Sequence, residues 1–147
     1  MEKEVAIKKI RSFNRFYVDL IGLLQADGYH SNYTLAETRV LFEINEASLI
    51  QASQVMLNIH IDKSYLSRIL KKLDKDGLIY KERSDQDARA IVLSLTEKGK
   101  SEMVKINEAA SKLVKVQIAT LDETSCKQLV MHMEAIIQLL ADKNSNE

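Results

Sequence analysis

The chain has 147 residues, 29% of them charged and 46% hydrophobic, with 21 Lys and Arg against 21 Asp and Glu. That is enough for one domain with a real core, too apolar for disorder, and at zero formal charge unsuited to binding nucleic acid by bulk attraction alone. No run approaches the roughly 20 apolar residues of a membrane span, Met1-Glu2-Lys3-Glu4 starts no secretory leader, and a single cysteine permits no internal disulfide, as expected in a reducing cytoplasm.

Residues 3 to 25 predict a long amphipathic helix with Ile10, Phe13, Tyr17, Leu20, Ile21 and Leu24 on one face. Asp27-Gly28 ends it in a turn, and Tyr29 to Tyr33 forms a short loop. Thr34-Leu35-Ala36-Glu37 reads as a capping box, each end answering the other's free amide. The helix it opens runs to about Asn45 and is expected to bury Leu35, Val40, Leu41 and Ile44. Leu49-Ile50-Gln51 is a short strand expected to pair with the second strand of a later hairpin. Ala52 to Asn58 is a helix burying Val55 and Met56, and Ile59-His60-Ile61 is a turn.

The stretch from Ile61 to Gly99 carries the most information. Asp62 caps a helix, because its carboxylate can accept from the amides of the first turn. Leu66, Ile69, Leu70 and Leu73 fall at i, i+3, i+4, i+7 and form one buried stripe, and Gly77 supplies a left-handed stop. The other face carries Lys63, Ser64, Tyr65, Ser67, Arg68, Lys71, Lys72 and Lys75. Hydroxyls at a helix start with a cation one turn on suit base edges and phosphates in a major groove; alone, the same pattern also fits a solvated amphipathic helix. Leu78 to Arg83 and Ala90 to Leu95 then read as strands, with Ile91, Leu93 and Leu95 alternating as in a half-buried strand. Between them lies a polar tip, Ser84 to Ala88.

A hairpin directly after a cationic helix is a wing. The fold class is therefore mainly α with a small β-wing, a winged helix-turn-helix over residues 34–96. Lys81, Arg83 and Arg89 would lie beside the duplex backbone or in a minor groove, and Asp87 is expected to hold Arg89 in place through an ion pair. Charge is segregated: Lys63 to Arg83 has seven basic and three acidic residues, Asp122 to Glu147 two and five. A basic patch on a neutral chain fits a reader that depends on placed contacts.

Thr96 caps a helix running to about Thr120, with Met103, Ile106, Ala110 and Leu113 inward. Asp122 caps a last one to about Ala141, where Cys126, Leu129, Met133, Ile136 and Leu140 make a heptad-like seam. A small winged domain does not need three long helices to cover it. The helices over 3–25 and 97–142 are expected to pack on a second copy, an intramolecular core being the competing reading for part of the seam. The glycines are scattered, and His30, His60 and His132 lie far apart, so neither catalysis nor a metal or cofactor is expected. Cys126 on its seam behaves as a small hydrophobe.

These residues resemble the multiple-antibiotic-resistance (MarR) family of regulators. The family's wing signature stands here as Asp87-Ala88-Arg89, a strand, then Leu95-Thr96-Glu97-Lys98-Gly99, and Asp62 to Arg68 looks like the start of its recognition helix. Phe13-Asn14-Arg15-Phe16-Tyr17 and Tyr65 to Leu70 are similar to the branch whose regulator domain is often fused to a GNAT acetyltransferase, a second domain this chain is expected to be too short to hold. The resemblance covers nearly the whole length, most weakly after Val104.

It implies a two-fold dimer built from the terminal helices, more often a repressor, with recognition helices roughly 34 Å apart on near-palindromic double-stranded DNA. Ser64, Tyr65, Ser67 and Arg68 would meet bases and nearby phosphates, Lys63, Lys71 and Lys72 the backbone, and Arg83 and Arg89 would act from the wing. The family often binds phenolic or aromatic acids between terminal helices and winged domain. Phe13, Phe16, Tyr17, Tyr29, Tyr33, Phe42 and Arg39 could line such a cleft, ordinary packing being the competing reading. Relatives that sense oxidants carry a cysteine in the first helix, where this chain has none. The competing function classes are a winged-helix protein-interaction module and a regulatory partner of an acetyltransferase.

Overall fold

The computed structural model describes residues 1–26 and 32–141, with no side chains described for 21–26. The expected turn at Asp27-Gly28, Tyr29, and the side chains of Ile21 and Leu24 lie outside that range. The elements run α1 (Lys3–Ala26), α2 (Leu35–Ala47), β1 (Ile50–Gln51), α3 (Ala52–Ile59), α4 (Lys63–Lys75), β2 (Ile79–Arg83), β3 (Ile91–Leu95), α5 (Glu97–Ile118) and α6 (Glu123–Ala141). They fall into two compact units, Met1–Ala110 and Ser111–Glu147, with the division inside α5.

In the first unit one core joins α2, α3, α4, the sheet and the start of α5. Val40, Leu41, Val55, Leu73, Leu78 and Leu93 have no exposed surface in it. The α4 stripe is buried at all four expected positions. Its cap forms as the sequence requires, with the Tyr65 amide donating to Asp62 Oδ1 at 2.7 Å, and Gly77 takes φ +74° after the helix.

The α2 helix departs from expectation twice. Thr34 caps it, accepting the Glu37 amide at 3.2 Å. The Glu37 carboxylate does not answer back: it turns inward to Lys72, so the capping box is half made. Leu35 is 56% exposed rather than buried. At about 100° per residue it points nearly opposite to the stripe of Glu37, Val40, Leu41 and Ile44 that faces the core.

The sheet has the order β1-β3-β2, antiparallel throughout. The expected short strand pairs with the wing's second strand, Ile50 opposite Leu93 and Gln51 opposite Val92; Leu49 stays outside it, exposed. β2 pairs with β3 from Ile79–Leu95 to Arg83–Ile91. The alternation expected in β3 holds only at Leu93 and Leu95. Ile91 sits at the distal end of the hairpin, beyond the reach of the core, and is exposed.

Thr96 caps α5, accepting the Gly99 amide at 3.0 Å, and Met103 and Ile106 point into the core. In the second unit Asp122 caps α6, accepting the Ser125 amide at 2.8 Å. A hydrogen bond from the Ser125 side chain, and then that amide bond, hold the Asp122 carboxyl below its ordinary value. Cys126 is half-buried, and Leu129, Met133, Ile136 and Leu140 of the seam are exposed in the single chain, as are Ile10, Phe13 and Tyr17 of α1. Among the described residues no helix is long and apolar enough to cross a membrane.

Candidate nucleic-acid interface

α4 is amphipathic in the way a major-groove helix must be. Its Leu/Ile stripe locks one side to the core, so the other side is displayed at a fixed angle. Lys63, Ser64, Tyr65, Ser67, Arg68 and Lys71 are all exposed on it. The Arg68 guanidinium lies 5.6 Å from the centroid of the Tyr65 ring, a cation–π contact that holds Arg68 beside the helix start without using its hydrogen-bond donors.

Lys72 is drawn into contacts within the chain. Its Nζ donates to the Glu37 carboxylate at 2.7 and 3.1 Å and to the Asn32 carbonyl at 3.2 Å, and it lies 5.1 Å over the Tyr33 ring. It faces the protein because four residues past Arg68 the helix meets the segment leading into α2.

The wing carries Arg83 and Arg89, both exposed. The expected Asp87–Arg89 ion pair is not formed. Asp87 Oδ1 instead accepts the Arg89 backbone amide at 2.9 Å, while the Asp87 carbonyl accepts the Ala90 amide at 3.0 Å. Asp87 therefore positions Arg89 by shaping the turn, since a carboxylate two residues back reaches the main chain more easily than an outward guanidinium. Lys81 is drawn back to Asp74 of α4 at 3.5 Å, linking wing and helix. Among the described residues Lys63, Lys71, Lys75, Arg83 and Arg89 make no ion pair.

Behind this surface is a junction that sequence reasoning did not reveal. Thr96 Oγ donates to the Gly77 carbonyl at 2.6 Å, the Thr96 amide to the Leu78 carbonyl at 3.0 Å, and Lys98 Nζ to the Asp76 carbonyl at 2.8 Å. Gly99 packs so closely that a Cβ there would stand 2.0 Å from the Leu78 oxygen. Leu-Thr-x-x-Gly is thus the stitch that fixes the end of α4 and the root of the wing to α5. Tyr33, whose hydroxyl donates to Asp76 Oδ2 at 3.1 Å, has its pKa pushed up to about 12, first by burial and then by that bond.

The expected effector residues form separate groups. Phe13 and Tyr17 stack in α1 with centroids 5.7 Å apart. Arg39 lies 5.5 Å over Phe42 and pairs with Glu43 at 2.9 Å in α2. Phe13, Phe16, Tyr17 and Phe42 are all exposed, so the described residues of one chain do not wrap them into a pocket. Tyr29 lies outside the described range.

Residues 29–106 match the family model described as transcriptional regulator SarA/Rot. The chain belongs to that family. The organic hydroperoxide resistance transcriptional regulator of Bacillus subtilis is 29% identical over 68 residues, which are 46% of each chain. The chain spans between 46% and 65% of the length of the curated relatives it matches. Two solved structures share the fold. MarR of E. coli in its apo form has a TM-score of 0.71 at 18% identity, covering 88% of this chain and 95% of that one. Streptococcus pneumoniae FabT in complex with DNA has 0.72 at 19%, covering 96% and 99%. The chain thus belongs to a family described as transcriptional regulators and has the winged-helix fold of MarR, in keeping with the resemblance carried by its wing motif.

Proposed function

We propose that the protein is a cytoplasmic homodimer that reads a near-palindromic double-stranded operator and represses transcription until a small aromatic or phenolic effector binds. The observation that carries the DNA reading is the exposed face of α4, with Ser64, Tyr65, Ser67, Arg68 and Lys71, beside a wing whose Arg83 and Arg89 make no ion pair among the described residues. Short hydroxyls and a guanidinium at a helix start suit base edges, while the outer lysines suit phosphates.

Dimerisation is supported by the apolar surface of the terminal helices. Ile10, Phe13 and Tyr17 of α1 and Leu129, Met133, Ile136 and Leu140 of α6 are exposed at helical spacing, and apolar surface gathered on one face marks an interaction site. A second copy would cover it and set two recognition helices roughly 34 Å apart. The effector reading rests on the exposed aromatics with Arg39, which a partner's helices could enclose.

Fluorescence anisotropy on a labelled duplex from upstream of the protein's own gene, against a scrambled duplex over a salt series, tests the function. Tighter binding to the former that persists at moderate salt is expected. Equal and steeply salt-dependent binding to both would mean phosphate attraction alone and would refute specific reading of that site.

A further inference from the structure

Among the described residues Glu37 is the one buried charged side chain, 7% exposed. It stands on the buried stripe of α2, one turn before Val40 and Leu41. A carboxylate there requires a partner, and Lys72 of α4 provides it. An ammonium has three N–H donors. Those of Lys72 match three acceptors: the two Glu37 oxygens and the Asn32 carbonyl. One turn further on, Asp76 holds the Tyr33 hydroxyl. The second half of α4 is thereby strapped at two points to the segment 32–37. Lys72 follows Arg68 by four residues, so the strap sets the rotation of α4 one turn from its base-facing side chains.

We propose that Lys72 serves DNA binding as a positioning residue and not as a phosphate contact, with Glu37, Tyr33 and Asp76 completing the clamp. This rests on the DNA-reading function proposed above. A phosphate contact and a clamp predict different responses. If Lys72 met a phosphate, Lys72→Met would lower the slope of log Kd against log salt by about 0.9, as expected for Lys71→Met. Glu37→Gln, which removes a negative charge near the duplex, would then tighten binding. The clamp predicts that both variants weaken binding roughly three- to tenfold at every salt, with the parent's slope retained. It also predicts that the double variant is no worse than the weaker single one, because both cut the same link.

The experiment is salt-titrated anisotropy on the duplex that the parent selects from random sequence, with circular dichroism confirming each variant folded. A lowered slope for Lys72→Met, or Glu37→Gln binding as tightly as the parent or tighter, overturns the clamp. If Glu37→Gln does not fold, Tyr33→Phe tests the second strap: weaker binding at unchanged slope is expected, and parental binding overturns the proposal. A parent that selects no sequence overturns the DNA reading and the clamp's role with it. A parent that selects one while the variants miss these expectations overturns the clamp alone.

Discussion

Gly99→Ala is the sharpest test of how the wing is held. A Cβ at Gly99 would lie 2.0 Å from the Leu78 oxygen and 3.0 Å from its carbonyl carbon. Neither atom can yield cheaply. Leu78 is fully buried, and its oxygen already accepts the Thr96 amide. Relieving the overlap requires more than 1 Å of backbone movement on the ordinary carbon–oxygen separation of about 3.3 Å. Overpacking of this kind costs about 1–3 kcal/mol, and disturbing the Thr96–Leu78 hydrogen bond adds about 0.5–1.5 kcal/mol. Near 3 kcal/mol in all, and at about 2–4 °C per kcal/mol for a chain of this size, the melting temperature should fall by roughly 6–12 °C. The comparison is Gly77→Ala. There a Cβ meets only Lys98 Cδ at 4.0 Å, and the cost is the left-handed backbone at φ +74°, about 1–2 kcal/mol. Urea unfolding followed by circular dichroism at one fixed protein concentration measures both. A Gly99→Ala loss within 0.5 kcal/mol of zero, or smaller than that of Gly77→Ala, would refute the close-approach argument.

Arg89→Ala should weaken binding to most duplexes and reduce the salt slope by about 1, whereas Ser64→Ala and Arg68→Ala should also change which sequence is preferred, by about 1–3 kcal/mol per lost base contact; parental affinity for Arg89→Ala would end the wing assignment. Tyr33 has its pKa raised from 10.0 to about 12. A raised folded-state value gives stability that is complete below pH 10 and lost as pH rises through 12, so urea midpoints should fall over that window in the parent and Tyr33→Phe should remove that component of the fall. Met133→Glu places a charge on the exposed α6 seam without touching the core; if the proposed dimer uses this seam, sedimentation should show the variant as monomer, and a sedimentation coefficient unchanged from a dimeric parent would mean that the seam is not the interface.

The helix α4 was legible because its chemistry is periodic. Four apolar residues at helical spacing, an Asp before them and a Gly after them leave one solution, and α4 has it. The β1–β3 pairing was legible for the same reason, a short apolar strand needing an edge. Two of the errors share another cause: they concern which of two partners a polar side chain chooses. Glu37 could answer the Thr34 amide or Lys72, and burial of the carboxylate favours the cation. Asp87 could take the Arg89 guanidinium or its amide, and local reach favours the amide. One signal was available for Glu37, an acid standing in line with Val40, Leu41 and Ile44. Gly99 gave no such signal, since its need for a bare Cα arises from Leu78, 21 residues earlier and in contact only through the fold.

The restraints on α4 are distributed unevenly along it. Its second half and the residues just after it carry Lys72 on Glu37, Asp74 with Lys81, Asp76 with Tyr33 and Lys98, and Gly77 on Thr96. The first turn has, among the described residues, its Asp62 cap and the buried Leu66. A helix whose polar face is held mainly at its far end leaves Ser64, Tyr65 and Arg68 exposed at its start, where among the described residues their side chains make no hydrogen bond. The division has a consequence for substitutions. Those from Lys72 to Gly77 should alter stability and binding together, because they move the helix. Those at Ser64 and Ser67 should alter binding with the unfolding midpoint unchanged, because among the described residues these exposed side chains make no hydrogen bond or ion pair.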